Sequence, residues 1–378
     1  MLDVLIAGAG PAGAMAAFVL AKAGARVVLV DRETFPRDKL CGDTINPGAV
    51  RLLASVGLTG GPLDTAVPLT GMYLTGPGAS VRAAYGRPPA ALALRRRTFD
   101  AWLVEQAVAA GAHFEPAVVA RATLADEHSG VPIVRGLVLD SANRHALRMP
   151  AILTIAADGR RSSLARAVGL AGVPRGPKRW AYGTYATGVA GLTDFGEMHV
   201  RHGWYVGVAP IGGGVANVCV VKPVHAAGGR RPIDDVREAL ARDPDLAARF
   251  EHAAIDEGVR VLGPLASEAR AAGVAGLLLA GDAAGFVDPM TGDGVHLALQ
   301  SGVLAAREAL RALETGDIVG AVSRLADARR AAFGRKLRFN RLVRDLVGSP
   351  AAVDVAVATA RVVPSVIRRA VRYAGDVR

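Results

Sequence analysis

Two cysteines, Cys41 and Cys219, are all the thiol this 378-residue chain holds. A disulfide framework and a four-cysteine zinc site are thereby excluded, no metal is expected, and a reducing, cytoplasmic setting is the natural one. Aromatic residues make up only 5% of the chain and do not interleave with basic runs, so no stacking platform for nucleic acid is expected. Long apolar runs are scarce too. Val4 to Ala21 carries no charge over eighteen residues, close to the length of a membrane span, but no Lys or Arg precedes it as a signal peptide requires. The run reads better as two elements. VLIAGAG is a short buried strand ending in glycine, and PAGAMAAFVLAKAG is a small-residue helix stopped at Gly24.

What is present is a globular composition, 51% apolar and 21% charged, enough for one large domain or two interleaved ones. The net charge is +11, and it is unevenly spread. Twelve basic and three acidic residues lie between Arg329 and Arg378, so nine of the eleven excess charges sit in the last fifty residues. Such a tail suits an anionic membrane surface or an acidic protein, or is simply a solvated arginine-rich helix.

Gly8, Gly10 and Gly13, with Pro11 and Ala12 between them, follow the first strand and open the first helix. That context gives the G-x-G-x-x-G pattern its meaning. The first glycine makes the tight turn, the second lets backbone approach a pyrophosphate, and the third packs helix on strand. The helix N-terminus then offers free N–H groups and a positive dipole. A second strand, ARVVLVD, ends in Asp31, eighteen residues past Gly13, where a carboxylate accepts from ribose hydroxyls; Arg32 beside it belongs to the same site. Two later segments repeat the strand-to-turn pattern. One ends in Asp158-Gly159 before a short helix. The other runs through Gly281-Asp282 and a loop with Pro289, Gly292, Asp293, Gly294 and Val295 into a long amphipathic helix.

Four segments together, GAGPAG with Asp31, FPRDKLCGDTINPGAV, LRRRTFDAWLVEQAVAAGA and GDAAGFVDPMTGDGVHLALQSGVLAA, resemble the geranylgeranyl reductase family of the flavoprotein hydroxylase superfamily, over residues 1 to about 315. The resemblance implies one FAD wrapped by three distant parts of the chain. It implies that Asp282 bonds the ribityl chain, that Asp158 and Gly159 lie beside the pyrophosphate, and that the helix beginning near Gly292 aims its dipole at the flavin pyrimidine edge. Such a dipole is worth about 1 kcal/mol. Arg96 would lie against the phosphate or flavin side of the cofactor, or be a surface charge in a run of three arginines. Cys41, followed by Gly42, stands where the family has a cysteine near the flavin. It either shapes the site and passes a proton or is a small packing residue. His296 either faces the flavin, with a pKa suited to proton delivery, or is structural. Ala165 replaces the first of two arginines usual in the family, and Arg166 keeps the second.

The expected fold is α/β: a Rossmann-like FAD-binding domain (1–60, 95–170 and 260–320) interleaved with an antiparallel-sheet substrate domain (61–94 and 171–259), then a basic helical C-terminal segment (321–378). Helices are expected over Pro232 to Phe250 and Asp317 to Arg344. The family's pocket strand, Tyr-x-Trp-x-Phe-Pro, reads Tyr205-Val206-Gly207-Val208-Ala209-Pro210 here. Two large walls have become small, which implies a bulkier or ring-bearing apolar or lipid substrate. The same strand departs from the flavin halogenases, and no halogenase-type lysine motif is evident. There is no second dinucleotide loop, so electrons are expected from transiently docked NAD(P)H or from a carrier protein such as reduced ferredoxin. Reduction of C=C bonds is the leading expectation. The alternative is monooxygenation through a C4a-hydroperoxyflavin, and a third reading is a non-catalytic flavin or membrane-interaction protein. The location expected is cytoplasmic, with peripheral contact at the inner membrane face through the basic tail.

Overall fold

The computed structural model describes residues 2–86, 88–126, 132–174, 176, 178–223 and 230–377. Arg378, which ends the basic C-terminal segment named above, lies outside them. The N-terminal run divides as its sequence dictates, into strand Leu2–Ala7 and helix Pro11–Lys22. Leu2–Ala7 is the middle of a sheet. It pairs in parallel with Arg144–Ala156 on one side and Val27–Val30 on the other, and the parallel ladder continues to Leu277–Leu279 and His113–Glu115. Strands buried on both faces need apolar runs without alternation, and VLIA, VVLV and LLL are such runs. The N-terminal half of Arg144–Ala156 leaves this layer and pairs antiparallel with Ile133–Ser141, which pairs with Val119–Asp126.

Helix Pro11–Lys22 is rich in alanine because it is covered on several sides, by the sheet, by helix Arg96–Ala109 and by helix Gly294–Thr315. The contact with the last is backbone to backbone. A Cβ at Gly302 would lie 2.2 Å from the Ala12 carbonyl oxygen. Gly13 is equally constrained, since its Cβ would lie 1.8 Å from the Gly8 carbonyl oxygen.

A second sheet orders Ala254–Ile255, Trp180–Thr187, Val215–Lys222, Trp204–Pro210, Phe195–Arg201, Gly71–Gly76 and Ala79–Ala84. It is antiparallel except at one place. Phe195–Arg201 runs parallel to Gly71–Gly76, because the two come from separate inserts that meet only in the folded chain. One face (Val206, Val208, Val218, Val220) packs on two short helices, Pro232–Arg242 and Pro244–Phe250. The single helix expected here is broken. Pro244 ends the first helix, and buried Asp243 accepts from the Asp245 and Leu246 N–H groups at 2.9 and 3.2 Å to start the second. The opposite face (Ala181, Tyr205, Cys219, Val221) packs with Leu40, Leu265, Phe286 and Met290 and with Val347 and Val353 near the C-terminus.

Beneath the helix-covered face lies a buried ionic chain. Glu197 takes both Nη1 and Nη2 of Arg249, at 2.7 and 2.8 Å, and the His199 Nε2 at 2.9 Å; His199 Nδ1 lies 2.9 Å from Thr75 Oγ1. Burial alone would raise the Glu197 pKa, but the bonds from His199 and Arg249 outweigh it and the net shift is downward. The pair therefore stabilises the fold above the unfolded glutamate pKa, and that contribution is lost as pH falls through the lower folded value. Glu197→Gln is expected to cost about 3 kcal/mol at neutral pH. Urea melts of both proteins from neutral to acid pH should show the difference shrinking below about pH 4.3.

The chain closes with helices Gly320–Val347, Pro350–Val362 and Pro364–Ala374. The last two lie along the free edge of the second sheet, where arginines bond the exposed carbonyls. Arg361 bonds Gly78 at 2.8 Å, Arg368 bonds Arg82 at 3.3 Å and Arg372 bonds Ala84 at 3.2 Å. An unpaired edge invites pairing with another chain, and these contacts block it. Among the described residues no single helix is long and apolar enough to cross a membrane; Pro350–Val362 and Pro364–Ala374 reach that composition only as a pair bent by 111°.

Candidate functional site: a glycine-lined cleft joined to an apolar chamber

The loop between Ala7 and Pro11 turns sharply under the end of the sheet. Gly8 takes φ +99°, and a Cβ there would lie 2.3 Å from the Ala157 carbonyl oxygen. Gly10 is different. Its Cβ would face an open cleft, with Arg37 Nη2 the nearest atom at 3.6 Å. The helix that follows has no side-chain cap, so its first-turn N–H groups are left for something else. Asp31 steadies this loop, accepting the Ala9 N–H at 2.6 Å and the Glu33 N–H at 2.9 Å.

The later segments complete the cleft. Asp158 Oδ2 accepts the Ser163 N–H at 2.9 Å, while its Oδ1 is buried with no partner. Gly159 and Gly292 sit at φ +85° and +65°, and at neither would a Cβ meet any protein atom. Gly281 donates its N–H to Ser301 Oγ at 3.0 Å and starts a short 3-10 turn. Burial pushes the Asp282 carboxyl up, and Lys39, Arg96 and Arg160 pull against that shift. The helix Gly294–Thr315 likewise begins without a side-chain cap.

The Cys41-Gly42-Asp43 loop is tied from three directions at Asp43. This residue is wholly buried at φ +51° and accepts from the Arg96 N–H (2.9 Å), Tyr185 Oη (2.8 Å) and Asn217 Nδ2 (2.9 Å). Asn217 also donates to the Cys41 carbonyl at 2.9 Å. The Arg96 guanidinium chelates Asp100 through two bonds of 2.7 Å, and Arg37 adds a third contact at 3.0 Å. Burial pushes the Cys41 thiol up in pKa, with Arg96 beside it pulling it back. Cys219 is pushed up to about 12, burial again leading.

One cavity of about 780 Å³ joins these pieces to the inner face of the second sheet. It brings together Gly8, Gly10, Pro11, Ala12, Asp31, Arg32, Cys41, Gly42, Arg96, Asp158, Gly159, Tyr205, Gly281, Asp282, Pro289, Gly292, Gly294 and Val295. Three expected residues are placed elsewhere. Gly13 is pressed against Gly8 behind the cleft. The Asp293 side chain turns to Asn340 Nδ2 at 2.9 Å and Thr291 Oγ1 at 2.7 Å. His296 does not face the cavity: its Nδ1 lies 2.7 Å from Asp376 Oδ2, because two residues past Gly294, about 200° around the helix, the side chain points to the C-terminal segment. Tyr205 lines the chamber, but its hydroxyl donates to Asp288 at 2.6 Å, and burial followed by that carboxylate drives its pKa far up. Asp43, Asn217, Arg37 and Asp288 were not legible as site residues. Arg37, Asp43 and Asp288 lie inside the family-like segments without being singled out there, and Asn217 is a lone amide in the apolar strand VANVCVVK.

Comparison with known proteins agrees with this geometry. A family model described as FAD binding domain matches residues 1–338. Menaquinone reductase of Mycolicibacterium smegmatis is 32% identical over 328 residues, covering 80% of this chain and 75% of that one. Digeranylgeranylglycerophospholipid reductase 2 of Methanopyrus kandleri is 30% identical over 349 residues, covering 89% and 84%. Among solved structures, a geranylgeranyl bacteriochlorophyll reductase-like protein from Thermoplasma acidophilum superposes with a TM-score of 0.80 at 22% identity, covering 94% and 90%. The flavin-dependent brominase Bmp2 superposes with a TM-score of 0.85 at 20% identity, covering 99% and 93%. At these identities the two structures speak to the fold alone.

Proposed function

Because the chain belongs to the geranylgeranyl reductase family of FAD-dependent oxidoreductases, we propose that it reduces carbon–carbon double bonds of a bulky apolar substrate of isoprenoid or quinone-like character. The cleft fits FAD. The uncapped helix start after Gly10 suits the pyrophosphate, Asp31 a ribose, and the buried, unpartnered Asp158 Oδ1 a polar group the protein itself does not provide. Gly159 and Gly292 leave space where any side chain would intrude. When bound and reduced, FAD supplies the hydride.

The observation that carries the substrate reading is the face of the chamber opposite the glycine cleft. Tyr205, Gly207 and Ala209 alternate onto it, beside Ala181, Gly196, Met198 and Cys219. Where the related strand motif has Trp and Phe, this chain has no side chain and a methyl. Apolar walls exclude water, and the missing volume admits a ring. Cys41, held as a neutral thiol by burial, is the proposed proton donor; the Tyr205 hydroxyl is committed to Asp288. The reductant is NAD(P)H or a reduced carrier protein, docking transiently. A substrate of this kind resides in lipid, so peripheral contact with a membrane is part of the reading.

Product mass tests it. Dithionite-reduced enzyme is incubated with a polyunsaturated isoprenoid quinone, once without oxygen and once under labelled O2. A gain of two hydrogens in the anaerobic product, at a chain double bond, is the expected result. Incorporation of labelled oxygen with no anaerobic product would make the enzyme a monooxygenase.

A further inference from the structure

The basic tail divides into arginines that are engaged and arginines that are not. Arg361, Arg368 and Arg372 are held by the edge-strand carbonyls. Arg335 and Arg369 have no carboxylate within ion-pair distance among the described residues, and Arg338 bonds only the Gly334 carbonyl of its own helix. Arg341 also lacks such a partner among the described residues and lies outside their groove, but Arg335, Arg338 and Arg369 share one surface. Arg335, Arg338, Phe339 and Leu342 recur at helical spacing on Gly320–Val347, and Val366, Arg369, Ala370 and Tyr373 do so on Pro364–Ala374. Phe339 and Tyr373 meet edge to face, centroids 5.0 Å apart, and the eight side chains line one shallow groove.

Two of the groove residues are strongly exposed, and so is Val362, four residues before Val366. Leu342 is 66% exposed, Val366 52% and Val362, at the bend between the last two helices, 80%. Six of the ten large hydrophobic side chains left exposed among the described residues fall between Leu342 and Tyr373. Single exposed valines are ordinary, but such a concentration in one stretch of chain that also carries free arginines is not.

Resting on the membrane contact proposed above, we infer that this groove and the Val362 ridge form the face that docks on an anionic bilayer. The arginines would meet lipid phosphates while Leu342, Val362 and Val366 enter the acyl boundary, as in interfacial amphipathic helices. An acidic protein would satisfy the arginines but give the exposed ridge no purpose.

The full chain is tested by flotation with vesicles of phosphatidylcholine alone and of phosphatidylcholine mixed with phosphatidylglycerol. Wild type should float with the mixed vesicles and not with the neutral ones. Two double variants at exposed positions, Val362→Asp with Val366→Asp and Arg335→Glu with Arg369→Glu, should each lose about tenfold or more in partitioning, with FAD content and melting temperature unchanged. The inference is overturned if wild type floats with neither vesicle, or if either variant floats as well as wild type. Loss in the arginine variant alone would mean adhesion by charge, pointing to an acidic protein. A wild-type dimer that the valine variant dissociates would make the face a self-interface. None of these outcomes touches the product-mass result, so the reductase reading and this one fail separately.

Discussion

Gly10→Val should give a folded, colourless protein. Gly10 sits at φ −70° and ψ −177°, a backbone any residue adopts, and its Cβ would meet only the flexible end of Arg37 at 3.6 Å. Nothing in the fold therefore opposes the valine. What it opposes is the pyrophosphate, which has to approach that backbone closely. The purified variant should lack flavin absorbance, retain the wild-type circular dichroism, and take up added FAD at least ~100-fold more weakly, a loss of about 2.7 kcal/mol. The neighbouring glycines provide the contrast. At Gly8 and Gly13 a Cβ would lie within 2.3 Å of backbone oxygen, so substitution there should abolish the fold itself. A yellow, FAD-replete Gly10→Val would mean that the cofactor does not lie on this loop.

Asp43→Ala should damage both the fold and the site. Removing the carboxylate leaves the Tyr185 hydroxyl, the Asn217 amide and the Arg96 N–H without their acceptor. Buried unsatisfied donors cost roughly 1–3 kcal/mol each. Part of this is offset because Asp43 itself is costly to bury, as its raised pKa shows. Alanine is also poorly suited to φ +51°, where Asp and Asn are tolerated. A net loss of about 3 kcal/mol is expected in urea unfolding, with Asp43→Asn recovering roughly half. The consequence reaches function. Asp43 binds together the Cys41 loop, the start of helix Arg96–Ala109 and two strands of the second sheet, and its loss should lower turnover even in the FAD-loaded fraction. Wild-type stability in Asp43→Ala would show that these bonds do not hold the loop.

The two variants probe different kinds of information. The consequence of Gly10→Val is readable from the chain in one dimension. Strand, glycine turn, helix and terminal Asp31 are contiguous, each is set by short-range sterics and burial, and the structure places them as the spacing implies. The same holds for the pocket strand, where alternation alone puts Tyr205, Gly207 and Ala209 on one face. Asp43 is of the other kind. Its partners are 53, 142 and 174 residues away, and no local pattern states that they converge.

The dinucleotide loop, the order of the elements and the alternation of the pocket strand were legible in the chain, because these rest on backbone geometry and periodicity within short windows; FAD and the small walls of the pocket were legible through the family resemblance. Tertiary structure alone decided where individual polar side chains point. His296 and Asp293 lie beside the cleft in sequence, yet both turn to the C-terminal segment because Asp376 and Asn340 are packed there to receive them. It also decided which arginines of the basic tail are free, since that depends on an edge strand nearly three hundred residues upstream. A hydrogen bond or ion pair is a property of two positions in space, and a chain specifies the second position only by folding.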